Sequence, residues 1–108
     1  MTLGSHQEAF SRDLVKLLME AYRIGYEVRI GEVLRTPEQQ ELYVRTGRSK
    51  TLNSMHLKKC AADLHFVRNG VVSYPAELGQ FWRSLSPLNK AGMFWQTFKD
   101  SPHFERSV

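Results

Sequence analysis

The sequence predicts an α+β domain in which a small antiparallel sheet packs against about three helices. Segments with the apolar spacing of helices alternate with short segments that have the alternation of strands. One strand segment ends in Arg68, Asn69 and Gly70, a turn signal that favours an antiparallel hairpin. Because 108 residues are enough for one hydrophobic core, we expect a single domain over residues 1–108.

Three segments have helical spacing and recognisable ends. Ser5 and Glu8 form a capping box at the start of the first segment, and Gly25 ends it. In the second segment, Thr36 and Pro37 are residue types typical of an N-cap and a first helical position. We expect helices over residues 5–24, 37–46 and 75–85.

The strand segments are shorter than the helices. Tyr26, Val28 and Ile30 alternate with polar residues, which is typical of a half-buried strand. The apolar run that begins at Ala61 and the residues after the turn signal are predicted to be the two arms of the hairpin. Residues 48–53 lack periodicity and are expected to form a loop. We expect strands over residues 26–34, 61–67, 71–74 and 95–98, with another close to Phe104.

The net charge of the chain limits the classes of partner that it is expected to bind. A net charge of +4 and an isoelectric point of about 9.5 favour a polyanion such as nucleic acid, an acidic membrane or an anionic cell-wall polymer. The basic residues are scattered rather than gathered on one periodic face, so we expect no nucleic-acid partner. The chain has neither a run of about 18 apolar residues nor a signal-peptide pattern, and we expect synthesis in the cytoplasm without stable membrane insertion. Cys60, which cannot form an internal disulfide, is expected to be a small buried residue.

His56, Asp63 and His103 can be assembled into one metal site. Imidazole nitrogen and carboxylate oxygen are good zinc ligands, and three protein ligands with one open position are typical of catalytic zinc. Asp63 is the stronger indication, because a carboxylate in an otherwise apolar strand needs a partner or a metal to offset its desolvation. His65 lies on the same side of that strand and is the competing ligand. Asp100, three residues before His103, is then placed to act as a general base.

Each of these residues also has a purely structural explanation. A single histidine in a small basic domain is more often a surface residue than a ligand. Aspartate often caps turns, and this could be the only role of Asp100. Arg35 either pairs with a surface acid or directs its guanidinium at a substrate carbonyl, where it would stabilise an oxyanion. Four aromatic residues within apolar segments are expected in the core rather than at a ligand site: Phe81, Trp82, Trp95 and Phe98.

Three segments resemble one family of peptidases. Ser54, His56, Ala61 and Asp63 are similar to the S-x-H-x-x-G-x-A-x-D motif of the D-alanyl-D-alanine carboxypeptidases and L-alanyl-D-glutamate endopeptidases, the M15 zinc peptidases with the Hedgehog/DD-peptidase fold. The segment WQTFKDSPHFE resembles their W-x-x-F-x-D-x-P-H-F-E ending. The segment LRTPEQQELYVRTGR resembles their R-[ST]-x-x-x-Q-x-x-L-Y-x-x-G segment. Together the three lie between Leu34 and Glu105 and cover about half of that stretch.

The resemblance implies a site with one zinc ion, a catalytic acid/base and substrate-binding residues. These are His56, Asp63 and His103 for zinc, Asp100 for acid/base catalysis, Arg35 for the scissile carbonyl, and Ser54 and Gln40 for substrate binding. The chain departs from the motif at Lys59, which stands where the family has glycine. If the backbone there has a positive φ, the lysine must adopt an unfavourable conformation.

By this resemblance, the chain is expected to be a monomeric zinc-dependent hydrolase of the peptidoglycan stem peptide. Its compact length and the aspartate at position 100 are closest to the phage-type endolysins that cut between L-alanine and D-glutamate, which reach the wall after holin-type release or lysis. Two alternatives stay open: a D,D-carboxypeptidase or dipeptidase acting on D-Ala-D-Ala ends, and a non-catalytic zinc-binding module that recognises the wall. Asp100 and Arg35 argue against the second, because structural zinc does not need an open site with a base beside it.

Overall fold

The computed structural model describes residues 1–108 and contains three helices and five strands, which confirms the predicted α+β class. The helices are α1 (Leu3–Arg23), α2 (Pro37–Arg45) and α3 (Ala76–Leu85). The strands are β1 (Glu27–Ile30), β2 (Ala61–Arg68), β3 (Val71–Ser73), β4 (Asn89–Ala91) and β5 (His103–Arg106). Two short 3₁₀ turns lie at Met55–Lys58 and Gly92–Phe94.

All strand pairs are antiparallel, in the order β1-β2-β5-β4, with β3 also paired to β2. The first half of β2 pairs with β5 and places Asp63 opposite His103. Its second half forms the predicted hairpin with β3, in which Asn69 and Gly70 have φ angles of 52° and 76°. The central strand therefore brings together two candidate ligands that lie far apart in sequence.

The main core lies between one face of the sheet and the helices α1 and α3. Leu64 and Phe66 of β2 are fully buried in it, together with Trp82 of α3 and Phe104 of β5. The Trp82 ring meets Phe104 edge to face with centroids 6.0 Å apart, and its indole N–H donates to carbonyls of β4 and β5 at 3.1 and 3.0 Å. Because side chains alternate along a strand, Asp63 lies on the opposite face of the sheet.

The helix ends confirm one prediction and correct another. The N-cap of α1 is Thr2, not Ser5: the Thr2 hydroxyl accepts a hydrogen bond from the Ser5 N–H at 3.1 Å. The N-cap of α2 is Thr36, as predicted, and its hydroxyl accepts from the Gln39 N–H at 3.1 Å. Gln40 is the buried residue of α2, so this helix contributes little to the main core and faces the candidate site through that residue.

Two strand predictions differ from the structure. β1 ends at Ile30, although the Gly31 N–H still donates to the Asp63 carbonyl at 2.7 Å in an irregular continuation of the pairing. The prediction of a strand over residues 95–98 is wrong, because the fourth strand lies at Asn89–Ala91. These three residues have little strand propensity, and their pairing with β5 determines their conformation.

None of the helices is long and apolar enough to cross a membrane.

Candidate metal centre

Three separate elements bring His56, Asp63 and His103 together. His56 lies in the 3₁₀ turn Met55–Lys58, Asp63 lies in β2, and His103 begins β5. His56 Nε2 is 3.3 Å from Asp63 Oδ1, His103 Nδ1 is 3.6 Å from the same oxygen, and the two nitrogens are 3.2 Å apart. Three potential ligand atoms therefore surround one point, as the sequence predicted.

The spacing of these atoms matches a tetrahedral metal site. Zinc binds nitrogen and oxygen at about 2.0–2.2 Å, which separates neighbouring ligand atoms of a tetrahedron by roughly 3.3 Å. Asp63 Oδ1 is buried and accepts no hydrogen bond, so its lone pairs are available for a cation. The distances and the unpartnered oxygen both indicate a site for a small metal ion.

Hydrogen bonds on the far side of each imidazole direct both lone pairs into the same space. His56 Nδ1 lies 2.9 Å from the Val33 carbonyl oxygen, and His103 Nε2 lies 2.8 Å from Glu105 Oε1. Each of these nitrogens donates its proton to the oxygen beside it, so in the neutral rings the two facing nitrogens carry none. A cation then satisfies both nitrogens and Asp63 at once, and the residues present fit a metal ion.

The charges of the cluster follow from the same contacts. Burial alone raises the pKa of Asp63, but the His103 and His56 rings outweigh it and hold that pKa below its usual range. Burial lowers the pKa of His103, whereas Asp63 and Glu105 raise it, with a net value of about 9. The pKa of Glu105 is lowered, because His103 outweighs the effect of burial. In the metal-free protein His103 is therefore an imidazolium between two carboxylates.

Asp100 lies at the mouth of the site, on the turn that leads into β5. Its Oδ2 is 3.8 Å from His103 Nδ1, and 45% of its side chain is exposed. The Asp100 N–H donates to the Gly92 carbonyl at 3.1 Å, and a Cβ at Gly92 would collide with the Asp100 backbone, so this close approach requires glycine. Burial, with a smaller contribution from Asp63, raises the pKa of Asp100 against the attraction of His103. A raised pKa suits a group that must both accept and return a proton.

Arg35 is held by several partners at the wall of the same cleft. Its Nε donates to Glu32 Oε1 at 2.5 Å, and its Nη1 donates to Gln40 Oε1 at 2.8 Å and to Ser54 Oγ at 3.4 Å. The guanidinium also stacks on the Tyr43 ring, 4.7 Å from its centroid. These contacts hold the cation in one orientation, with 11% of its side chain exposed.

The structure separates the roles of Gln40 and Ser54, which the sequence assigned together to substrate binding. Gln40 is fully buried, and its amide donates to the Thr51 carbonyl at 2.6 Å while its oxygen accepts from Arg35. Because it has no exposed surface, Gln40 positions Arg35 and the adjoining loop and does not reach the substrate. Ser54 lines the cleft and also caps the 3₁₀ turn, where its hydroxyl accepts from the His56 N–H at 3.3 Å.

Three other predictions near the site can be assessed. His65, the competing ligand, stays outside the cluster, because its Nδ1 lies 2.7 Å from the Tyr74 hydroxyl. Cys60 is buried beside Met55, as expected, and burial raises the pKa of its thiol. Lys59 has a φ of 53° and a ψ of 36°, so the lysine adopts the left-handed conformation that the motif glycine favours.

The site contains residues that the sequence analysis missed or misplaced. Trp95 and Phe98, expected in the core, line the cleft instead: the Trp95 ring lies 5.1 Å from His103, and Phe98 is 51% exposed. Trp82, in contrast, is in the core as predicted. Glu105 was missed, although its position two residues after His103 in a strand places both side chains on one face. The whole cleft has a volume of about 1000 Å³.

The chain is similar to two peptidases, one of known structure and one known from its sequence. No protein-family model matches the chain. The crystal structure of the L-Ala D-Glu endopeptidase ChiX of Serratia marcescens superimposes with a TM-score of 0.69 at 30% identity, covering 96% of this chain and 85% of that chain. The chain belongs to the M15 peptidase family.

A second relative of the chain comes from a bacteriophage. The L-alanyl-D-glutamate peptidase of Listeria phage A118 is 33% identical over an alignment of 95 residues, and the alignment covers 83% of this chain. The chain spans about a third of the length of that relative, 34%. The match therefore concerns about a third of the phage protein and not the rest of it.

Proposed function

We propose that the chain is a zinc-dependent peptidoglycan peptidase that hydrolyses the bond between L-alanine and D-glutamate in the stem peptide. The observation that carries this proposal is the convergence of His56, Asp63 and His103 within 3.2–3.6 Å of one another, with Asp100 at the same opening. The names of both relatives support the choice of bond. The phage relative supports action on the cell wall after lysis, and we propose a monomer.

The zinc ion belongs between His56, Asp63 and His103, where it would activate water and polarise the scissile carbonyl. The Asp100 carboxylate accepts the proton of the attacking water and then donates it to the departing amine. Its raised pKa favours the first of these steps, because a more basic carboxylate takes the proton from water more readily. One residue thus serves as base and then as acid.

Arg35 stabilises the negative charge that develops on the carbonyl oxygen. Its guanidinium is already oriented by Glu32 and Gln40, so little reorganisation is needed as the charge appears. The Tyr43 ring supports the guanidinium from the side. A cation fixed in this way is worth more in the transition state than a mobile lysine would be.

The proposal is tested with defined peptides and controlled metal content. The purified protein is analysed for metal by mass spectrometry, and new amino termini are counted after incubation with an L-Ala-D-Glu stem peptide and with a peptide ending in D-Ala-D-Ala. We expect one equivalent of zinc, cleavage of the first peptide only, loss of activity with EDTA and recovery with zinc. Cleavage of the D-Ala-D-Ala peptide alone would replace the proposal with a D,D-carboxypeptidase, and zinc binding without any cleavage would indicate a non-catalytic module.

A further inference from the structure

The carboxylates of the cleft are paired with cations, whereas several of its basic side chains are not paired with carboxylates. Asp63 and Glu105 contact imidazole rings, and Glu32 pairs with Arg35. Three other cations line the same cleft with no carboxylate within ion-pair distance. These are Arg48, Lys50 and Lys99.

Arg48 and Arg35 both place their guanidinium groups over the Tyr43 ring. Its guanidinium lies 4.6 Å from the centroid of the Tyr43 ring, and the same ring supports Arg35 at 4.7 Å. The Arg48 N–H also donates to the Tyr43 carbonyl at 2.8 Å, which fixes the backbone at the end of the helical segment. Two guanidiniums are therefore held at a defined separation along one wall of the cleft, and only Arg35 is neutralised by an acid.

Lys50 is held from the other wall of the cleft. Its Nζ donates to the Thr97 hydroxyl at 3.2 Å and lies 5.6 Å from the centroid of the exposed Phe98 ring. Lys99 is exposed, as Arg48 and Lys50 are, but unlike them it makes no contact of this kind. The positions of Arg48 and Lys50 are thus prepared for an anion, since less side-chain entropy is lost when one binds.

The chemistry of the proposed substrate supplies a suitable anion. A bond between L-alanine and D-glutamate uses the amino group of the glutamate, so both of its carboxyl groups lie on the leaving-group side. The peptide continues through one of them, and the other is free and negatively charged at neutral pH. We propose that Arg48 and Lys50 form an anion subsite that binds this free carboxylate and selects substrates that carry it. This subsite rests on the proposed function.

The test compares two peptides that differ in one group, the free glutamate carboxylate or the carboxamide in its place. We expect kcat/KM of the wild type to be about tenfold higher for the carboxylate, as a charge-assisted hydrogen bond predicts. Arg48→Gln and Lys50→Gln should each reduce this preference severalfold while leaving turnover of the amide within about twofold. The controls are Arg45→Gln and Lys16→Gln, which remove exposed cations outside the cleft and should keep the full preference.

Binding of the same two peptides is measured in parallel by calorimetry on the zinc-loaded Asp100→Asn protein. Equal cleavage and equal binding of the two peptides would overturn the subsite and leave the proposed function intact. A preference that survives in Arg48→Gln and Lys50→Gln but disappears in Lys99→Gln would also overturn the assignment. If the wild type cleaves neither peptide, yet tighter carboxylate binding depends on Arg48 and Lys50, the subsite stands and the proposed function fails. If the protein neither cleaves nor binds them, both fail.

Discussion

At the scale of single residues, Asp100 and His56 lie in the same cleft but have separable roles. Asp100→Asn keeps the shape of the side chain and removes the proton acceptor, so we expect kcat to fall by about 10²–10⁴-fold with zinc content unchanged. His56→Ala removes a ligand and should abolish both zinc binding and activity. Metal analysis and turnover of the L-Ala-D-Glu peptide measure both effects. Wild-type turnover in Asp100→Asn would show that another group moves the proton.

Lys59 has a left-handed backbone conformation, which is unfavourable for a residue with a Cβ atom. Its φ of 53° is costly for an L-residue with a Cβ and costs glycine nothing, so Lys59→Gly should stabilise the protein by about 0.5–1 kcal/mol after the greater freedom of glycine in the unfolded chain is counted. Urea unfolding of the zinc-loaded protein gives the free energy of unfolding.

The matched control for this change is Lys16→Gly. Lys16 is an exposed lysine inside α1, where glycine should cost about 1 kcal/mol. Opposite signs for the two lysines are expected. A loss of stability in Lys59→Gly as large as that in Lys16→Gly would mean that the left-handed backbone at this position carries no strain.

At the scale of elements, the link from β4 to β5 positions Asp100 through its contact with Gly92. In Gly92→Ala the new methyl group meets the Asp100 backbone, and we expect a loss of about 1–3 kcal/mol in stability and a reduced kcat. Gly4→Ala is the control, because a Cβ at Gly4 lies 3.8 Å from its nearest neighbour and α1 should tolerate or favour alanine. Thermal unfolding and turnover are measured on both. Unchanged turnover in Gly92→Ala would show that this contact does not determine the position of Asp100.

Local sequence signals predicted the elements that carry such signals. The N-cap at Thr36, the turn at Asn69 and Gly70, and the apolar stripe of α3 are all encoded within a few neighbouring residues, and the structure confirms them. β4 has no such signal, since its conformation depends on pairing with a strand that begins more than ten residues later. Elements defined by distant partners cannot be found from local periodicity.

In the candidate site, too, some residues could be predicted from local sequence and others could not. His56, Asp63 and His103 were identified by chemical type and by resemblance. The pairing of β2 with β5 brings Asp63 to His103, and the 3₁₀ turn before β2 adds His56. The cleft wall was not predicted, because Trp95 and Phe98 have the composition of core residues and only the chain path exposes them. The partners of Arg35 likewise come from α2 and from the segments on both sides of it, which no sequence spacing reveals.

At the scale of the whole molecule, the charge on His103 makes the stability of the metal-free protein depend on pH. Its pKa rises from about 6.5 in the unfolded chain to about 9 in the folded protein. The folded state therefore binds the proton more tightly, and this stabilisation is complete below about pH 6.5 and is lost as the pH rises through 9. In EDTA, we expect the unfolding midpoint in urea to decrease over this window.

Saturating zinc should reverse the trend, because the metal competes with the proton and binds better as the ring nitrogens lose protons. His103→Asn is the control, since the variant has no group that titrates at this position. An equal decrease with pH in His103→Asn would assign the effect to other groups.

The pairing of Asp63 with His103 has a topological consequence. An ion held jointly by His56 and His103 joins two points that are 47 residues apart and closes almost half of the chain into a ring. Unlike a disulfide, such an ion is bound only by the folded chain, so it stabilises the fold through its binding free energy, in a chain whose single cysteine cannot form a disulfide within the molecule. An ion that served the chemistry would thus also hold the central strands together, and its removal would cost the folded state this binding free energy.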